Sequence, residues 1–284
     1  AGSLDWIMDM NGAKLSETLL SDLIARVKES SLYPGLAVLL VGDDPASHTY
    51  VRIKQERAES IGVNVNVKRL ASEASTEAIG SIIQKWNADP SITGILIQLP
   101  LPDHLDSRKI LDMVDPDKDV DGLSTTQMSR LLMSQDHILA ATPRGIIMLL
   151  EHYDIPIRGA DVCMVGFGHT VGKPLALALS NMRATVSICR SATKDLAKHT
   201  RAADIIIMAA GQPLMLTKEM VSEGSVVIDA GNHRVEGKLV GEASYESLKS
   251  ICSHITPVPG GVGPMTVAAL LMNLIEAAER SADA

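Results

Sequence analysis

One stretch limits what this chain can become. Residues 161–174 read Asp-Val-Cys-Met-Val-Gly-Phe-Gly-His-Thr-Val-Gly-Lys-Pro. A short apolar run ends at Val165. Glycines follow at Gly166, Gly168 and Gly172, and an Ala/Leu-rich segment suited to a helix begins at Pro174. Strand, glycine turn and helix in that order bring backbone amides up to a phosphate. Glycine serves there because a Cβ would block the approach and because some turn positions require positive φ. Pro174 suits a first helical turn, where a missing N–H costs little. The spacing, G-x-G-x-x-x-G, is one residue longer than the usual dinucleotide fingerprint. By itself it fits a plain strand–helix connection equally well.

With 284 residues the chain can form two domains of ordinary size. Hydrophobic residues make up 46% and charged residues 21%, the balance of a folded soluble protein. Aromatics are only 2%, so the core is expected to be aliphatic. A net charge of −8 argues against nucleic acid or an anionic membrane as partner. No apolar run approaches the roughly 20 residues that cross a bilayer. No signal peptide is evident, so the cytoplasm is the expected compartment. Ala1-Gly2-Ser3, without an initiator Met, reads as a cloning remnant. Cys163, Cys189 and Cys252 fall in or near predicted strands without metal-ligand spacing. They read as buried free thiols, and no metal is expected.

Hydrophobic periodicity predicts a helix over 16–29, then a strand at Leu36–Val41 whose unbroken aliphatic run suits burial on both faces. A helix of about 16 residues ends at Ser60, a second strand covers 63–70, and a helix over 76–87 is capped at Ser75. The third strand, 92–98, stops at Leu99-Pro100-Leu101-Pro102. A helix opening at Thr142-Pro143 is a candidate link between domains. Further strands are expected at 161–165, 185–189, 205–209, 226–228 and near Ile255, with a final helix over 265–280. Alternating strands and helices imply an α/β fold with parallel sheets and right-handed crossovers. In such folds the site lies beyond the carboxyl ends of the strands, here in a cleft between a first α/β domain and a small Rossmann-like unit.

An NAD-binding unit usually carries Asp or Glu about 20 residues past the glycines. Here the position reads Cys189-Arg190-Ser191-Ala192-Thr193. A cation with two hydroxyls suits a 2′-phosphate and favours NADP, although a solvated strand-end arginine would look the same. In the first half, Tyr50 and Lys54 share a helix face by their i, i+4 spacing. A phenol beside an ammonium suggests proton transfer, though such pairs are more often ordinary surface. Gln98 ends a strand, where its amide could hold a lysine or substrate. Asp115, Asp117, Asp119 and Asp121 resemble a cation loop but lack the glycine and glutamate of an EF-hand, so they read as a solvated acidic loop in which one carboxylate could bind a pterin-like amidine edge. Pro257 to Pro264 packs prolines and glycines densely enough to suggest a ligand wall. His169 and His233 are the two histidines placed to touch a ligand.

Together these residues make the chain resemble the bifunctional methylenetetrahydrofolate dehydrogenase/cyclohydrolase family, FolD-type. The resemblance runs through Val41 to Ser47 followed by Tyr50-x-x-x-Lys54, Ile97 to Pro102, Lys118 to Gly122, Thr142 to Gly145, Val171 to Pro174 and Ile255 to Thr266. It implies NADP-dependent oxidation of 5,10-methylenetetrahydrofolate and hydrolysis of the methenyl product to 10-formyltetrahydrofolate. The implied domains are a folate-binding catalytic domain, 1–143 plus 265–284, and an NADP-binding domain, 144–264. Lys54 is then the principal cyclohydrolase group, Tyr50 orients the folate, Gln98 tunes the lysine and Asp121 binds the pterin. Val51, Leu99 and Pro100 complete the folate side, with Pro259, Gly260 and Gly261 lining folate and nicotinamide. The implied cofactor residues are Thr142, Arg144, Gly166, Phe167, Gly168, His169, Val171 and Gly172. To these the resemblance adds Arg190, Ser191, Ala210, Gly211, Asn232 and His233. A homodimer is also implied.

The cofactor half departs from the family. Its usual Gly-Arg-Ser turn is Gly166-Phe167-Gly168, its Asp-Val-Gly-Ile-Asn run is Asp229-Ala230-Gly231-Asn232-His233, and the cysteine often found before Thr142 is Ala141. Arg190 is expected to take over the 2′-phosphate. Two other readings stand beside the bifunctional enzyme: a cyclohydrolase with weakened dehydrogenase activity, and a non-catalytic folate-binding scaffold. Retention of Tyr50, Lys54, Gln98 and Asp121 together speaks against the scaffold.

Overall fold

A computed structural model describes residues 8–30 and 32–282; Ala1-Gly2-Ser3 lie outside them. In order, the elements are β1 (Met8–Asp9), α1 (Gly12–Glu29), β2 (Gly35–Val41), α2 (Pro45–Ser60), β3 (Asn64–Leu70), α3 (Thr76–Ala88) and β4 (Gly94–Ile97). Helices α4 (Ser107–Leu111), α5 (Thr125–Leu132) and α6 (Ala141–His152) follow. Then come β5 (Asp161–Val165), α7 (Gly172–Asn181), β6 (Thr185–Cys189), α8 (Leu196–Arg201), β7 (Ile205–Met208) and β8 (Val226–Asp229). The chain continues with β9 (His233–Val235), β10 (Lys238–Val240), α9 (Tyr245–Leu248), β11 (His254–Ile255) and α10 (Val262–Ala282).

Two compact units form: Ala1–Glu17 with Thr142–Thr266, and Thr18–Ala141 with Val267–Ala284. The chain start therefore groups with the nucleotide-binding lobe and not with the first lobe, where the sequence puts it. The reason is β1, which pairs in parallel with β11 and adds an edge to that lobe's sheet. A two-residue strand leaves no periodicity to read. All three crossings between units fall inside helices, in α1, α6 and α10.

The first lobe is built on a parallel sheet in the order β3-β2-β4. All seven residues of β2 are buried. Their side chains alternate between two cores. Leu36, Val38 and Leu40 pack with Leu23 and Val27 of α1 and with Leu270, Leu271 and Leu274 of α10. Ala37, Leu39 and Val41 pack with Ile79, Ile83 and Trp86 of α3. Burial on both faces is why this strand reads as an unbroken aliphatic run. The acidic loop is structural in large part. Asp115 accepts from the Asp117 amide, and Asp119, almost wholly buried, accepts from the amides of Gly122 and Ser124 at 3.0 and 2.8 Å. Lys118 Nζ donates to the carbonyls of Trp86, Asn87 and Asp89 at the end of α3. Among the described residues no group of three acidic, histidine or cysteine side chains is placed to hold a metal.

In the nucleotide-binding lobe the sheet order is β1-β11-β8-β7-β5-β6, every pairing parallel. A small antiparallel hairpin, β9–β10, follows β8. The three cysteines are buried free thiols, and burial pushes Cys163 and Cys252 up to about 12. Helix α10 begins at Val262, inside the predicted ligand wall, with Gly263-Pro264 in its first turn. By length and composition it passes for a membrane-crossing helix, but most of it is buried within the protein and its last turns carry Glu276, Glu279 and Arg280.

Candidate active site

The candidate site of the first lobe begins with a helix cap. Chain leaves β2 through Gly42 and meets Asp44, whose Oδ2 accepts from both the amide and the hydroxyl of Ser47 at 2.8 and 2.7 Å. Pro45 occupies the first turn, as its fixed φ favours. This cap starts α2 at the carboxyl end of β2, and Val51, fully buried, anchors it in the core. Tyr50 and Lys54 then lie one turn apart. Tyr50 remains 39% exposed, while Lys54 is half-buried and its Nζ donates to Gln98 Oε1 at 3.0 Å.

Gln98 follows β4 and is 6% exposed. Its Nε2 donates to the Leu99 carbonyl at 2.6 Å. That contact fixes the amide so that its oxygen faces the lysine. Burial pulls the Lys54 pKa below its ordinary value, and the nearby Asp121 carboxylate partly opposes this. Burial likewise raises Asp121, against the pull of the Lys54 ammonium and with a further push from Asp119. An amine whose burial eases loss of its proton, beside a carboxyl whose burial eases keeping one, is suited to proton transfer. Leu99 is partly buried and Pro100, joined by a cis peptide, is exposed.

The nucleotide-binding lobe carries its own candidate site, around the glycine turn. Gly166 adopts φ +100°, and a Cβ there would lie 1.9 Å from the Ala209 carbonyl oxygen. At Gly172 a Cβ would lie 2.4 Å from the Gly166 oxygen. These two glycines let the turn close on itself. Nothing lies within 4 Å of the Gly168 position, which leaves that side of the turn open to a ligand. Helix α7 starts at Gly172, two residues before the predicted Pro174, because Lys173 and Leu175 already donate to the Gly168 and Val171 carbonyls. No side chain caps it at Val171. The open face of the turn at Gly168 and a helix start without a side-chain cap together fit a dinucleotide phosphate.

Phe167 stands under the Lys173 ammonium, 6.0 Å from ring centre to Nζ. At the end of β6 Arg190 and Ser191 are exposed, and the Arg190 amide donates to Thr193 Oγ1 at 2.8 Å. That bond commits one of the two predicted hydroxyls to the loop. Thr142 Oγ1 lies 2.9 Å from Thr266 Oγ1, while Arg144 stands one turn into α6. His169 lies in the glycine turn and Asn232 just after β8. Pro259 is exposed, and the Gly260 carbonyl accepts from the Ala13 amide at 2.9 Å. Ala210 and Gly211 follow β7, and both amides donate to Glu242, which also lies 3.3 Å from His233. Sequence reasoning misses Glu242. It stands in an unremarkable stretch, and its amide partners are 32 and 31 residues away.

Two family models match the chain. The catalytic domain of tetrahydrofolate dehydrogenase/cyclohydrolase covers residues 10–121, and its NAD(P)-binding domain covers residues 140–282. The chain belongs to the tetrahydrofolate dehydrogenase/cyclohydrolase family. Within it, a bifunctional protein FolD from Nautilia profundicola is 46% identical over 277 residues, 96% of this chain and 98% of that one. The bifunctional FolD structure from Campylobacter jejuni is 40% identical with a TM-score of 0.95, covering 97% of this chain and 99% of that one. That of the Trypanosoma brucei enzyme, complexed with NADP and an inhibitor, is 32% identical with a TM-score of 0.93, covering 98% and 99%. The Lys54–Gln98–Asp121 group falls in the part that matches the family's catalytic domain. The glycine turn falls in the part that matches its NAD(P)-binding domain.

Proposed function

We propose that Lys54, Gln98, Tyr50 and Asp121 carry the folate chemistry of a bifunctional dehydrogenase and cyclohydrolase. The chain oxidises 5,10-methylenetetrahydrofolate to 5,10-methenyltetrahydrofolate and hydrolyses that cation to 10-formyltetrahydrofolate. Bound NADP⁺ supplies the hydride acceptor for the first step. The residues that would hold it are Gly166, Phe167, Gly168, His169, Val171 and Gly172 in the turn, Thr142 and Arg144 on α6, Arg190 and Ser191 after β6, and Ala210, Gly211, Asn232 and His233 after β7 and β8.

Asp121 orients the pterin edge, Tyr50 offers a ring face from the exposed side of α2, and Val51, Leu99 and Pro100 shape the surroundings. Pro259, Gly260 and Gly261 supply a wall without bulky side chains. In the hydrolytic step water adds to the carbon of the methenyl bridge and releases one proton; the remaining hydroxyl proton passes to the ring nitrogen N5 as its C–N bond opens, leaving the formyl group on N10. Burial favours the uncharged form of Lys54, and in that form Nζ takes the proton released by water and does not repel the cationic substrate. Gln98 Oε1 holds Nζ in place. The observation that carries this reading is the 3.0 Å contact of Nζ with Gln98 Oε1 beside an opposing Asp121 carboxyl.

The same reading makes the protein a cytoplasmic homodimer acting on a small folate, with neither nucleic acid nor membrane as partner; sedimentation checks the assembly. For the chemistry, both reactions are assayed in the wild-type and Lys54→Ala proteins. Methenyl hydrolysis falls about 100-fold or more, the range for a lost acid–base group, while NADP⁺ binding is retained. Hydrolysis at the wild-type rate would remove Lys54 from the mechanism.

A further inference from the structure

The nucleotide-binding lobe buries two carboxylates, Asp229 and Glu242, each 2% exposed. Burying a charge costs several kcal/mol unless hydrogen bonds replace its water. Both are amply bonded. Asp229 Oδ1 accepts from the amides of Gly231 and Glu242 at 2.8 and 3.0 Å, and Oδ2 from that of Ala243 at 2.7 Å. This fixes the chain at Glu242 so that its side chain turns toward the segment after β7. There Oε2 accepts from the Ala210 amide at 2.6 Å and Oε1 from the Gly211 amide at 2.7 Å. His233 Nε2 lies 3.3 Å from Oε1. With both oxygens already accepting amide hydrogens, the histidine contact needs the hydrogen on Nε2 and leaves Nδ1 on its other side.

No slack surrounds the pair. A Cβ at Gly231 would lie 2.4 Å from Glu242 Cγ, and one at Gly241 would lie 2.0 Å from Asp229 Oδ2. One buried carboxylate thus ties together two segments, those after β7 and β8. Both leave the carboxyl ends of parallel strands, where this fold class binds its ligands.

We propose that Glu242 is a positioning residue for the dinucleotide, acting through the Ala210–Gly211 turn and the His233 ring. The proposal rests on the assignment of those residues to the NADP site. Glu242→Gln keeps the side chain's size but sets an NH₂ against a backbone N–H, so one amide loses its acceptor. Calorimetric titration with NADP⁺ then gives a Kd raised about tenfold, as expected for one charge-assisted hydrogen bond. KM for NADP⁺ rises in parallel while kcat stays within about threefold, the mark of lost ground-state binding. Methenyl hydrolysis, run without dinucleotide, is unchanged. Glu242→Asp, which keeps the charge, recovers most of the affinity. His233→Gln, at a side chain 25% exposed, raises Kd by itself, and the double variant loses no more than Glu242→Gln alone because the two act as one unit.

An unchanged Kd in either single variant, additive losses, or equal loss of both activities would overturn the proposal. If the wild-type protein binds NADP⁺ but turns over no folate, the folate function fails, and the titration still decides the role of Glu242.

Discussion

Lys54 shows how one side chain can be placed for chemistry by its surroundings. Burial lowers its pKa and Asp121 opposes that shift. Asp121→Asn removes the opposing charge, so the Lys54 pKa drops further. The rising limb of kcat against pH for methenyl hydrolysis therefore moves to lower pH, and KM for the folate rises as the pterin loses its carboxylate. A limb that stayed in place, or moved to higher pH, would separate Lys54 from the profile. Arg190 decides a different question. In a Rossmann-like unit without a carboxylate at the end of its second strand, a guanidinium there favours a 2′-phosphate. Arg190→Ala is expected to cut the preference for NADP⁺ over NAD⁺ about 10- to 100-fold, the worth of one or two charged hydrogen bonds. Steady-state kinetics with both dinucleotides checks it, and an intact preference would refute it.

Elements differ in how far their sequence betrays them. β2, β5, β7 and β8 stand out because burial on both faces demands a nearly unbroken apolar run. The Tyr50–Lys54 pair stands out because helical spacing puts both on one face. Local signals do not reach β1, a two-residue edge, or the β9–β10 hairpin. Nor do they reach Glu242, whose partners lie 32 and 31 residues away. In sequence Asp119 reads as one residue of a solvated acidic loop, since nothing local tells a carboxylate buried against its own turn from one facing water. The glycine turn allows an element-scale test. Gly166→Ala meets the Ala209 carbonyl at 1.9 Å in a positive-φ conformation, so it is expected to destabilise the fold by about 2 kcal/mol or more. Gly168→Ala meets nothing within 4 Å and should leave the melting temperature nearly unchanged while weakening NADP⁺ binding. Calorimetric melts with dinucleotide titrations distinguish them; equal thermal losses would contradict the assigned roles.

At the level of the whole molecule, the first lobe is not one continuous piece of chain. Its sheet is covered by α10, whose Leu270, Leu271, Leu274 and Ile275 are completely buried. At about 1.5–3 kcal/mol for each such side chain, their loss removes roughly 6–12 kcal/mol, most of what holds a typical domain together. A fragment of residues 18–141 is expected to show no cooperative thermal transition by circular dichroism, and a sharp melt would contradict this. The nucleotide-binding lobe is likewise nested within the other lobe's chain, and its own edge strand comes from the far start of the sequence. A gene exchange between relatives that transplanted only residues 142–266 would set a donor sheet against the recipient's β1. A faithful graft of cofactor preference needs three crossover points, and each of them falls within a helix.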